Sequence, residues 1–196
     1  MATDHEDLIR QRFTDSIAVK EQLKGDEYVA VVREAADKIT TALQGGNKVM
    51  FCGNGGSAAD SMHLAAELVG RFRLERGPLP ALSLSDNVSS VTAIGNDYDY
   101  QQTFSRQVRA FGRDGDVLVA LSTSGGSPNV LAAVEAAHEL GMTTIGFTGS
   151  PGGDLATSTN ISLRVPSKET ARIQEGYMLA GHTMCELVEM QLFPDA

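Results

Sequence analysis

The chain has 196 residues, enough for one domain with a sizeable core, and its 42% hydrophobic content and 20 glycines suit a globular α/β protein. A net charge of −9 argues against the basic stripe that a nucleic-acid surface needs, while leaving room for a small anionic ligand held by short-range N–H groups. No apolar run approaches the roughly 18 residues of a membrane span, and the opening M-A-T-D-H-E-D carries no signal-peptide core, so a cytoplasmic protein with no membrane contact is expected.

Residues 1–46 read as a helical arm. Ile9, Phe13 and Ile17 make one apolar row, and Val29, Val32, Ala36, Ile39 and Leu43 make a second that Gly45 and Gly46 stop. A helical pair placed ahead of the first strand packs on its own domain or on another subunit. Residues 47–196 then alternate strand and helix. Strands are expected at 49–52, 79–84, 117–121, 144–148 and 161–165, each short, apolar on both faces and partly β-branched. Helices are expected at about 57–71, 101–111, 127–140 and 169–192, with another near 87–94. The alternation predicts a doubly wound α/β fold, a five-stranded parallel sheet flanked by helices, with its ligands beyond the carboxyl ends of the strands.

Two loops stand where such ligands bind. The first, G-N-G-G-S-A, follows the strand at 49–52 and runs into N-G-G-S-A-A-D-S-M-H-L-A-A-E. Ser57 with Asp60 reads as a capping box that starts a helix, with the glycines Gly55 and Gly56 letting the backbone approach a ligand. The loop also fits G-x-G-x-x-A, but the acidic partner about 20 residues on is missing and no G-K-[ST] follows, so no nucleotide cofactor is expected. The second loop, S-T-S-G-G-S-P-N, offers Ser122, Thr123, Ser124 and Ser127 at a helix start, with Ser127 as N-cap and Pro128 at N1. Hydroxyls and free N–H groups there can cradle a phosphate without Lys or Arg.

Histidines and carboxylates supply the remaining chemistry. His63 and Glu67 are four apart and share a helix face, and Gln174 and His182 lie on nearby faces two turns apart on the last helix. Two imidazoles, a carboxylate and an amide could surround a divalent ion. Asn96 and Asp97 form a third polar turn. Cys52 and Cys185 are far apart, make no C-x-x-C pair and read as buried reduced thiols.

The four motifs N-G-G-S-A-A-D…H…A-A-E, T-A-I-G-N-D-Y, G-D-V-L…S-T-S-G…S-P-N and P-S…R-I-Q-E…G-H stand in one order along nearly the whole chain. Together they resemble the sugar isomerase (SIS) family, and within it the phosphoheptose isomerase branch. The resemblance implies an SIS-type fold and an aldose–ketose isomerase turning sedoheptulose 7-phosphate into D-glycero-D-manno-heptose 7-phosphate, the first step toward ADP- or GDP-heptose. It implies that Asn54, Gly55, Gly56, Ser57, Asn96, Asp97 and Gln174 contact substrate and that Ser122, Thr123, Ser124 and Ser127 hold the phosphate. His63, Glu67, Gln174 and His182 match the zinc positions, one Zn2+ per subunit, and Glu67 and His182 match the catalytic pair. The family's usual assembly is a homotetramer with shared active sites. Two other readings share the fold: a non-catalytic branch that binds the replication initiator DnaA, and a phosphosugar sensor without turnover. The DnaA-binding branch lacks the acid and the histidine that stand here at 67 and 182, so their presence favours an enzyme.

Overall fold

A computed structural model describes residues 5–195. Its fold follows from five short strands and the faces they leave to cover: β1 (Val49–Gly53), β2 (Ala81–Ser83), β3 (Val117–Leu121), β4 (Thr143–Gly149) and β5 (Ile161–Val165) pair in parallel in the order 2-1-3-4-5. The central strands β1 and β3 are buried at every residue, as parallel strands between two helical layers must be. Edge strands depart from the expected two-sided burial: β2 shrinks to three residues, and β5 turns Arg164 outward.

Alternate residues of each strand feed two separate cores. Val49, Phe51, Val117, Val119 and Leu121 pack under α2 (Asp26–Gln44), α3 (Gly56–Val69) and α8 (Thr170–Leu192). Met50, Cys52, Leu118 and Ala120 pack under α5 (Ser105–Phe111) and α6 (Pro128–Glu139), with Leu155 of the short α7 (Leu155–Ser158) closing the edge. The strand order reverses between β1 and β3, and Gly53 pairs with Leu121, so the two ligand loops leave the sheet side by side at the switch point.

The arm is two helices, α1 (His5–Gln22) and α2. The α2 row is buried at Ala36 and Ile39, but Val29 is exposed. The α1 row does not pack on its own domain. Ile9, Phe13 and Ile17 are 53%, 67% and 60% exposed, and Val19 is the one buried residue of that helix. Contacts of Ser16 with Glu175 (2.6 Å) and of Arg172 with the Arg12 carbonyl (2.7 Å) hold α1 against α8 by its polar side.

Several local expectations fail for identifiable reasons. The helix expected over 101–111 is a 3-10 turn at Tyr100–Gln102 followed by α5; the Thr103 hydroxyl turns back to the Tyr100 carbonyl and accepts from Asn129 Nδ2, which interrupts the helix. Asn96 and Asp97 are the last residues of a helix, α4 (Val88–Asp97), and not a turn, because Asn87 caps that helix through Ser90 N.

Candidate active site

The loop after β1 enters α3 through Gly55 at φ 57°. The expected capping box is absent. Ser57 and Asp60 face the same way, but both are claimed by Tyr177 of α8: Ser57 Oγ lies 2.8 Å from the phenol oxygen, which donates to Asp60 Oδ2 at 2.9 Å. The first N–H groups of α3 turn back on the loop instead, Ser57 N donating to the Asn54 carbonyl (3.0 Å) and Ala58 N to that of Gly55 (3.1 Å). Burial, reinforced by the Asp60 carboxylate, pushes the Tyr177 phenol far above its ordinary value, so it stays protonated. Gln174 reaches the same place, with Nε2 3.4 Å from Asp60 Oδ2 and packed over Gly56.

The loop after β3 is bound to the first. Asn54 and Asn129 exchange side-chain hydrogen bonds of 2.8 and 2.9 Å, and Tyr100 donates to Asn54 Oδ1 at 2.9 Å. In the serine loop, Ser127 sits at the N-cap of α6 with Pro128 following, as expected, yet its hydroxyl pairs with Ser122 Oγ (2.9 Å) instead of capping. Ser124 Oγ accepts from Gly126 N at 3.2 Å. Asn54, Gly55, Gly56, Ser57, Ser122, Thr123, Ser124 and Ser127 thus share one end of the sheet. Asn96 and Asp97 are exposed and hydrogen-bonded to each other at 2.8 Å.

A second group forms farther along α3. His63 Nε2 is 2.9 Å from Glu67 Oε1. Gly181 lets α8 come against α3 here: a Cβ on it would stand 2.8 Å from Leu64 Cδ2. The next residue, His182, therefore meets His63 edge-on, with ring centroids 5.0 Å apart. Ligand atoms of His63, Glu67 and His182 all lie within 4.8 Å of one another. Two imidazoles and a carboxylate are a zinc donor set, and three protein ligands leave a fourth position for substrate. Within this chain Gln174 stands apart from them beside Gly56 and Asp60, eight residues, about 12 Å of helix, before His182. Burial, with Glu67 and Glu189 adding, pushes the Cys185 thiol up to about 12, and burial does the same to Cys52.

The ligand loop and the His-Glu pair are neighbours in sequence, yet Gly56 and Glu67 are separated by about 16 Å of helix. Within one chain the glycine-serine loop and the His63–Glu67–His182 group are therefore two separate groups of residues. Sequence reasoning gave Asp60 the wrong partner and missed Tyr177, Asn129, Tyr100 and Phe72, whose ring stacks on His182 at 5.6 Å. Only the S-P-N tripeptide hinted at one of them, Asn129.

The SIS domain family model matches residues 13–149. Among curated relatives, a phosphoheptose isomerase of Rhodospirillum rubrum is 57% identical over 158 residues, covering 81% of this chain and 84% of that protein. One from Clostridium acetobutylicum is 47% identical and covers 95% of each, too much of the chain to leave out His182. Among solved structures, a phosphoheptose isomerase from Francisella tularensis superposes with a TM-score of 0.92 at 39% identity, covering 96% of this chain and all of that one. Another, from Neisseria gonorrhoeae, gives 0.90 at 42%, covering 95% and 99%.

Proposed function

The chain belongs to the SIS domain family, and on that premise we propose that it is an aldose–ketose isomerase acting on sedoheptulose 7-phosphate, with D-glycero-D-manno-heptose 7-phosphate as product. The observation that carries this reading is the meeting of Glu67 and His182, from α3 and α8, with ligand atoms inside 4.8 Å. Isomerisation removes a proton from C1 of the ketose and returns one to C2 through an enediol(ate). A single carboxylate can do both, and Glu67 is the base. His182 moves protons at the O1 and O2 oxygens. The serine loop holds the phosphate at the α6 N-terminus and Asn54 to Ser57 hold the sugar, so binding energy remote from the reacting carbons orients them. A general base of this kind contributes about 10²–10⁴ in rate.

His63, Glu67 and His182 would hold a divalent ion, and zinc fits their chemistry. When bound, it supplies a positive charge that polarises the substrate oxygens and stabilises the oxyanion. Gln174, Asn96 and Asp97 belong to the substrate-binding set in this reading.

The active sites are shared in a homotetramer. Two observations support this: Gly56, where α3 leaves the sugar-binding loop, and Glu67 stand about 16 Å apart along α3, and the apolar row of α1 is uncovered. The loops of one subunit would then face the Glu67–His182 pair of another. Among the described residues no helix is long and apolar enough to cross a membrane, in keeping with an enzyme of a dissolved phosphosugar.

The direct test incubates the purified protein with sedoheptulose 7-phosphate and follows the aldose product by NMR, with and without chelator. Turnover is expected, falling at least about tenfold on metal removal. A protein that binds the sugar phosphate and leaves it unchanged would be a sensor instead.

A further inference from the structure

One buried ion pair lies outside the steps above. Arg76 and Glu189 have side chains only 1% exposed, and they meet at 2.9 Å. Pairs this deep usually add little net stability, since desolvation offsets the attraction, so what else they hold is informative. Glu189 lies seven residues after His182 on α8, and its carboxylate accepts from the successive N–H groups of Phe72 (2.8 Å), Arg73 (2.8 Å) and Leu74 (3.1 Å). Burial alone would raise its pKa, but these N–H groups and Arg76 pull it below the ordinary carboxylate value. Arg76 turns its other nitrogens to the C-terminal end of α3, donating to the carbonyls of Glu67 (2.9 Å) and Leu68 (2.7 Å). The connection after α3 is therefore pinned at one end to the backbone of Glu67 and at the other to the helix of His182. Phe72, the first residue so pinned, lays its ring on the His182 imidazole at 5.6 Å and an 18° tilt.

We propose that Arg76, Glu189 and Phe72 are positioning residues for the isomerase reaction: the buried pair sets the α3–α8 spacing at Glu67 and His182, and the Phe72 ring fixes the plane of the His182 imidazole. The proposal rests on the catalytic assignment above. Imidazole aim matters to proton transfer at the O1 and O2 oxygens and not to capture of the phosphate. Disturbing the clamp should therefore lower kcat and leave KM in place.

Glu189→Gln tests the pair but can cost the fold, so Phe72→Leu is the deciding variant, with Phe72→Tyr as the conservative control and Glu67→Gln run beside them. For Phe72→Leu the expected result is an unfolding temperature near the parent's, KM within about twofold, and kcat down about tenfold, equal to about 1.4 kcal/mol of barrier. Phe72→Tyr, which keeps the ring, should restore kcat to within about twofold. A parental kcat in Phe72→Leu, a KM that moves with it, or no recovery in Phe72→Tyr overturns the clamp. If that happens while Glu67→Gln is inactive, the clamp alone is wrong. If Glu67→Gln turns over normally, the catalytic assignment fails and the clamp falls with it.

Discussion

Tyr177 shows what a single hydroxyl can tie together. Its oxygen joins buried Ser57 to Asp60 and so aligns the start of α3 with α8 beside the glycine-serine loop. Tyr177→Phe would leave both partners short of a hydrogen bond at a cost of about 1–3 kcal/mol. A fall of roughly 2–12 °C in the thermal midpoint is expected for a chain of this size, read by calorimetry; an unchanged midpoint would place the hydroxyl's partners in water instead. At this scale legibility followed sequence distance. His63 and Glu67 could be paired from their spacing alone, because four residues bring side chains together on any helix. Tyr177 and Glu189 could not, because their partners stand more than a hundred positions away and only packing chooses them. Ser57 and Ser127 were read as caps for a related reason: capping is the default for a serine at a helix start, and Tyr177 of a distant helix displaced it at Ser57 while Ser122 of the same loop displaced it at Ser127.

Among the elements, β3 and β5 came out at the expected residues, because an apolar run bounded by turn residues is a local signal. The four-residue α7 carries too little periodicity to be read, and the split at Thr103 depends on Asn129 from another helix. The starts of β1 and β3 are locked by Asp116, fully buried, which accepts from Lys48 Nζ, the Lys48 and Arg113 N–H groups and Asn47. Burial would raise its pKa, but these donors together hold it below the usual carboxylate range. A carboxyl depressed in the folded state stabilises the fold above its unfolded pKa of about 3.9 and loses that contribution as acid carries the pH down toward the folded value. The thermal midpoint should therefore drop as pH is lowered from about 5 to 3, and Asp116→Asn should start lower and fall less steeply over that window. An equally steep acid profile in that variant would assign the acid sensitivity to other groups, Glu189 first among them.

For the whole molecule, the governing features are that the glycine-serine loop and Glu67 stand about 16 Å of helix apart and that the apolar row on α1 is uncovered. The fold was legible from alternation and the doubly wound rule; the separation was not, because a loop and a helix that adjoin in sequence look like one site until the helix is given its length. Phe13→Glu puts a charge in the middle of that row. Light scattering should give a tetramer for the parent and smaller species for the variant, with isomerase activity falling in step with the tetramer. A monomeric, fully active parent would contradict shared sites. The central claim is narrower: the carboxylate at position 67 moves the proton between C1 and C2. Steady-state turnover of sedoheptulose 7-phosphate by Glu67→Gln, alongside its thermal midpoint, tests it most directly. The account predicts a folded protein whose kcat is at least about 10²-fold down; a folded protein with near-parental kcat would contradict it.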